Sequence, residues 1–182
     1  VLKAGGVIIY PTDTVYGIGC DIFNKEALQR VKNIKIDPDI KLLSFICSGF
    51  KDISKYAKIS DYAYRTMKHL LPGPYTFILP AARQVPKKLW TKRKTVGIRI
   101  PDNPIALKIV NDLGNPIIST STTNRKGEVI YDPYEIRSIF NLQVDLMLSS
   151  GNLSGKSSSV VDLSKDEPVV VREGAGDISM FD

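Results

Sequence analysis

One histidine and two cysteines in 182 residues leave little room for several common chemistries. His69 alone would have to serve a Ser-His-Asp triad or any histidine-bearing metal site. It sits in a helical pattern beside Leu70 and Leu71, where a surface or core role is the simpler reading. Cys20 and Cys47 are separated and few, which makes a poor zinc site and no disulfide scaffold; cytosolic thiols fit them better. No metal ligation by the protein is expected. There is no GxxxxGK[ST] segment and no GxGxxG following a strand. No apolar run is long enough to cross a bilayer, so no membrane partner is expected and the location is read as cytoplasmic. The start, "VLKAGGVIIY", has no initiating Met and no signal-peptide pattern. It reads as the end of a helix entering a strand, so an upstream helix is expected to be missing. Acidic residues are in the minority, 19 against 25 basic ones, and the net charge of +6 favours anionic partners such as nucleotides or RNA.

What is present reads as one domain spanning residues 1–182. Hydrophobic residues make up 43% and charged residues 24%, an ordinary globular balance for a chain long enough to bury a core. Gly6 to Tyr10 is a continuous β-branched run and predicts a buried strand. Leu42–Cys47, "YTFILP", "TVGIRI", "PIISTS", "VDLMLS", "SSVVDL" and "PVVVRE" predict further strands. Helices are predicted over Lys25–Ile34, from a Ser60 cap through Leu71, over Pro104–Leu113 behind an Asn103 cap, and over Pro133–Phe140. Arg83 to Lys94 reads as a long exposed loop. Strands and helices are mixed throughout, which predicts an α/β domain with a mixed sheet.

Chemistry has to come from polar strand ends. Side chains alternate along "TVGIRI", so Val96, Ile98 and Ile100 face one way and Thr95, Gly97 and Arg99 the other. A glycine between a hydroxyl and a guanidinium leaves room for something to lie on that face. Arg99 then either makes paired hydrogen bonds to a ligand carboxylate or phosphate, or bonds an internal Asp or Glu. Ser119 and Ser121 share a face of "PIISTS". "GNLSGKSSSVVDL" is a Gly/Ser loop with Ser157, Ser158 and Ser159 feeding a strand, either an anion-presenting loop or a plain turn. Arg172 closes "PVVVRE". With "PTDT" at residues 11–14, these strand ends predict a shared anion-binding cleft. Thr12, Asp13 and Thr14 would line it, and Gly17 and Gly19 would permit close approach. Lys87, Lys88, Lys92, Arg93 and Lys94, with Trp90 among them, form either an RNA-contact stretch or a solvated loop with a tucked tryptophan.

"GGVIIYPTDTVYGIGCD", "LLPGPYTFILP", "TVGIRIPDNP", "SSVVDL" and "VVVREGAGD" run in the order found in the YrdC/YciO family, and the chain resembles its YciO branch most closely. The resemblance covers nearly the whole chain. It implies a single-domain α/β fold: a twisted open mixed sheet with flanking helices and a positively charged concave cavity. It also implies condensation of L-threonine, bicarbonate and ATP, with Mg²⁺ carried by the nucleotide, to threonylcarbamoyl-adenylate for the t6A modification of tRNA. Double-stranded RNA or tRNA binding without catalysis, or a related nucleotide or carboxylate enzyme, are the alternatives it leaves. By motif match, Thr14, Arg99, Ser119 and Ser158 would meet threonine. Lys35, Lys41, Thr95, Ser121 and Arg172 would meet the nucleotide. Two positions depart from the family pattern: Asp37 replaces the arginine of a KxR motif, and Thr123 replaces the asparagine of an SxN motif.

Overall fold

Val7, Ile8 and Ile9 form a β-branched run with almost no exposure, and Pro11, which has no N–H to offer a ladder, closes it. The resulting strand β1 spans Ile8–Tyr10. The computed structural model describes residues 1–34, 43–86, 89, 94–124 and 126–181. Beyond β1 the chain forms β2 (Gly17–Asp21), α1 (Lys25–Ile34), β3 (Ser44–Ile46), α2 (Phe50–Tyr56) and α3 (Asp61–Leu70). Next come β4 (Tyr75–Pro80), β5 (Thr95–Arg99), α4 (Pro104–Leu113), β6 (Ile117–Ser121) and α5 (Pro133–Phe140). Three short strands follow, β7 (Leu146–Met147), β8 (Ser159–Asp162) and β9 (Val169–Arg172), and then a 3-10 turn at Ser179–Phe181. The strands form one mixed sheet in the order β7-β1-β2-β6-β3-β5-β4-β8-β9.

The helices begin and end where their side chains allow. Ser60 Oγ accepts from the Ala63 N–H at the start of α3. Asn103 accepts from the N–H groups of Ile105 and Ala106, with Pro104 at the first helical position and Gly114 left-handed at the other end. Each such cap contributes about 1 kcal/mol. The larger driving force is burial. Phe45, Phe77, Leu79, Ile98 and Ile118 lie on one face of the sheet under Val31 of α1, Ile53 of α2, Met67 of α3 and Ile136 of α5. Each large apolar side chain so buried contributes roughly 1.5–3 kcal/mol. On the other face α4 packs down: Ala106 and Val110 cover Ile8, Tyr10, Ile46 and Ile117, with Leu2 and Leu148 at the margin. Among the described residues, four α-helices thus cover one sheet face, and one α-helix covers the β1–β6–β3 region of the other.

Several sequence-based expectations need correction. Residues 17–21, for which no strand was predicted, form one, held between β1 and β6 on both sides. α2 was not anticipated. "VDLMLS" yields only the two-residue β7. The Arg83–Lys94 stretch is not wholly exposed: Val85 is 2% exposed, and Leu89 packs against the core. Among the described residues, no helix is long and apolar enough to cross a membrane.

Candidate functional site

Strand register assembles the polar strip. Gly19 pairs with Ser119, Ser119 with Ser44, Ser44 with Gly97, and Gly97 with Ile78. Paired residues project to the same side, so these positions form a row on the face that α4 covers only in part. Ser121 and Gly17 pair one step along the same side. Thr95 and Arg99 flank Gly97 on β5, and Thr76 flanks Ile78 on β4. Arg172 of β9 pairs with Val160, which pairs with Thr76, so the strip continues to the sheet edge. Ser44, Ile78, Gly97 and Ser121 are half-buried, as the floor of a shallow trough would be.

The "PTDT" turn is built by its first threonine. Thr12 Oγ1 donates to the Val15 carbonyl at 2.6 Å and accepts from the Thr14 N–H at 3.1 Å. That turn delivers the next two side chains to β5. Arg99 Nη2 donates to Asp13 Oδ1 at 2.6 Å and to Thr14 Oγ1 at 2.8 Å. The arginine side chain is 7% exposed and the aspartate 12%. Ser154 Oγ donates to the Thr14 carbonyl and Tyr16 donates to the Gly151 carbonyl, tying the Gly/Ser loop to the same turn. Of the two readings open for Arg99, an internal carboxylate is therefore present, and it is Asp13. The pairing is incomplete: Arg99 Nε and Asp13 Oδ2 are both buried without a hydrogen-bond partner.

A second guanidinium faces the same region. Arg172 donates through Nε and Nη2 to the Ser158 carbonyl at 3.1 and 2.8 Å, and Ser158 Oγ lies 2.9 Å from Thr76 Oγ1. Burial, and then the nearby Arg99 charge, push Arg172 below the ordinary arginine range. The residues after it lock it in place. The Gly174 N–H donates to Ser159 Oγ, the Ala175 N–H to the Ser157 carbonyl, and Ser159 Oγ to the Gly176 carbonyl. A Cβ on Gly174 would collide with the Ser157 carbonyl, and one on Gly176 with the Tyr75 ring.

Ser119 is held from below. Tyr10 donates its phenolic hydrogen to Ser119 Oγ at 2.6 Å, and burial pushes the phenol up to about 12. A Cβ on Gly17 would lie 2.8 Å from Ser119 Oγ and 2.9 Å from the Tyr10 hydroxyl. The close approach that the two glycines of β2 permit is that of backbone to this buried pair.

Thr14, Arg99, Ser158 and Arg172 are thus joined by hydrogen bonds or mutual charge, with Thr95, Ser119 and Ser121 on the same sheet face. Lys94 is exposed at the start of β5, with a left-handed φ of 55°. Lys35, Asp37, Lys41, Lys87, Lys88, Lys92 and Arg93 lie outside the described residues. Thr123 bridges Val129 through its backbone. Sequence reasoning missed Tyr10 and Thr76. The signal for Thr76 was available, since "YTFILP" alternates Tyr75, Phe77 and Leu79 against Thr76 and Ile78. A separate cavity of about 340 Å³, lined by Lys58, Ser60, Leu163 and Lys165 among others, shares no residue with this trough.

The Sua5/YciO/YrdC family profile, described as telomere recombination, matches residues 1–174. Escherichia coli YciO is 43% identical over 183 residues, all of this chain and 89% of that protein. Its crystal structure superposes with a TM-score of 0.95 over 99% of this chain and 88% of that one. The threonylcarbamoyl-AMP synthase of Hydrogenovibrio crunogenus is 35% identical over 164 residues, 87% of this chain and 86% of that protein. P. abyssi Sua5 complexed with L-threonine has a TM-score of 0.88 at 28% identity, covering 95% of this chain and 52% of that one. With the fold, the polar trough and these likenesses in agreement, the chain belongs to the Sua5/YciO/YrdC family.

Proposed function

We propose that the protein is a nucleotidyltransferase of the threonylcarbamoyl-AMP synthase type, acting on L-threonine, bicarbonate and ATP. The amine of threonine joins the carbon of bicarbonate with loss of water, and a carbamate oxygen then attacks the α-phosphorus as pyrophosphate leaves. The product would serve the t6A modification of tRNA. The observation that carries this reading is the pair of guanidiniums. Arg99 and Arg172 are close enough to repel one another on a partly open sheet face, and such an arrangement suits a ligand with more than one anionic group. Relatives named threonylcarbamoyl-AMP synthase support the reaction class, and a relative complexed with L-threonine supports the amino acid.

In this reading Arg99, with Thr14, Ser119 and Ser158 around it, holds the threonine carboxylate and hydroxyl. Arg172, Thr95 and Ser121, together with Lys35 and Lys41, meet the nucleotide, whose Mg²⁺ travels on the phosphates. Catalysis rests on positioning and charge stabilisation, since the nucleophile is supplied by the substrates themselves. Mass spectrometry of adenylates formed from purified protein, ATP, Mg²⁺, bicarbonate and a pool of amino acids tests it. Threonylcarbamoyl-adenylate formed only when threonine and bicarbonate are both present supports the reading. Its absence under conditions where a known synthase is active overturns it.

One observation favours a second reading, a related enzyme acting on a different nucleotide or carboxylate. Asn124, the residue next to the altered SxN position, is engaged in its own turn. Its Oδ1 accepts from the N–H groups of Lys126 and Glu128, and its Nδ2 donates to Glu128 Oε2. Those bonds compete with any use of Asn124 in place of the asparagine that Thr123 displaces. The same amino-acid pool experiment separates the two, because a different adenylate would carry a different mass.

A further inference from the structure

Arg99 and Asp13 each leave one buried polar atom without a partner, and the two atoms differ in kind. Arg99 Nε is a donor and Asp13 Oδ2 an acceptor. They belong to a single ion pair joined only through Nη2 and Oδ1. A ligand that completes both must bring an acceptor to the guanidinium and a donor to the carboxylate. A plain carboxylate or phosphate does the first and is repelled by Asp13 over the second. An α-amino acid carries both groups on adjacent atoms.

Thr14 constrains the geometry further. It is fully buried, and its hydroxyl already accepts from Arg99 Nη2. Thr12 fixes the backbone of the turn that carries Asp13, and the 2.6 Å bond from Arg99 Nη2 holds the Asp13 carboxylate beside the guanidinium. Among the described residues, Asp13 touches Arg99 and the Arg172 charge is felt beside it. Asp13 is the negative group of the three.

We infer that Asp13 is a specificity-determining residue: with Arg99 it forms a two-ended clamp for a zwitterionic α-amino acid and rejects carboxylates that lack the ammonium. The inference rests on the reading above, in which Arg99 holds an amino-acid carboxylate, and adds the second end of the clamp. Discrimination of this kind uses repulsion as well as attraction, since the wrong ligand leaves one carboxylate facing another in a poorly hydrated site.

The test compares L-threonine with 3-hydroxybutyrate, the same skeleton without the amine, by isothermal titration of the whole chain. The wild type binds threonine in preference. In Asp13→Asn, which keeps size and one acceptor oxygen but loses the charge and the second acceptor, threonine affinity falls about tenfold or more while 3-hydroxybutyrate affinity holds or rises. A parallel loss for both ligands would make Asp13 a prop for Arg99 and overturn the clamp, as would unchanged threonine affinity. Asp13→Ala takes the place of the Asn variant should a thermal melt show the latter unfolded. Wild-type protein that binds neither compound overturns the amino-acid reading and the clamp with it. Threonine bound by the wild type without preference over 3-hydroxybutyrate overturns the clamp alone.

Discussion

Tyr10 and Ser119 meet at 2.6 Å across two strands that are not neighbours, over Gly17 and Gly19 of the strand between them. The phenol spends its hydrogen on Ser119 Oγ, so the serine's own hydrogen is free to point along the polar strip. Tyr10→Phe keeps the ring and deletes that bond, at a cost of about 1–2 kcal/mol for a buried acceptor left short of a donor. Burial raises the folded phenol from 10.0 to about 12. A raised folded value means the stabilisation is complete below pH 10 and is lost as pH climbs from 10 to 12. At 1.36 kcal/mol per unit, that loss is about 3 kcal/mol. Urea midpoints measured from pH 8 to 11 should fall more steeply for the wild type than for Tyr10→Phe. Parallel curves would show that Tyr10 does not titrate in this window.

Arg99→Ala should lower stability as well as ligand affinity. It strands the Asp13 carboxylate at 12% side-chain exposure and removes a donor from fully buried Thr14. Breaking a buried pair from one side costs roughly 3 kcal/mol. Asp13→Ala alone should cost a similar amount, and the double variant less than the sum, because neither charge is then left uncompensated. Denaturant melts of the four proteins close the cycle. Strict additivity would mean that the pair contributes nothing to the fold.

How much of this could be read from the chain depends on how local each cause is. The β5 alternation of Val96, Ile98 and Ile100 against Thr95, Gly97 and Arg99 is a period-two signal within six residues, and it placed both faces correctly. Residues 17–21 are poor strand formers by composition, and they become β2 because β1 and β6 pair with them from both sides. The seven-residue α2 is too short for helical periodicity to separate it from a loop. Arg99 was visible as a guanidinium on a roomy face, but its partner lies 86 residues away, so the strand alone left ligand and internal carboxylate equally open. Tyr10 read as an ordinary aromatic strand end, since its partner lies 109 residues on.

Neither cysteine should react in the native protein. Cys20 is buried, and burial followed by the Asp21 charge pushes its thiol up to about 12; burial also raises Cys47. The thiolate is the reactive species, so at pH 8 almost none is present. A disulfide exchange reagent should titrate no thiol in native protein and both in urea. Fast labelling of one cysteine under native conditions would point to local opening at β2 or β3.

Thr123 and Asn124 can be separated experimentally because the second already has a local task. Asn124 closes its turn through Lys126 and Glu128, so Asn124→Ala should lower stability by under about 1 kcal/mol and leave nucleotide affinity unchanged. Thr123 is half-buried two residues past the end of β6 at Ser121, whose side chain shares the face of Ser119. Thr123→Asn puts a carboxamide where the family motif carries one, with no competing turn to absorb it. The expected result is a gain of about tenfold in ATP affinity by titration, since a hydrogen bond to a charged phosphate contributes roughly 1.5–3 kcal/mol before ordering costs. Unchanged affinity in Thr123→Asn, together with a loss in Asn124→Ala, would reverse the assignment and make Asn124 the nucleotide ligand despite its turn.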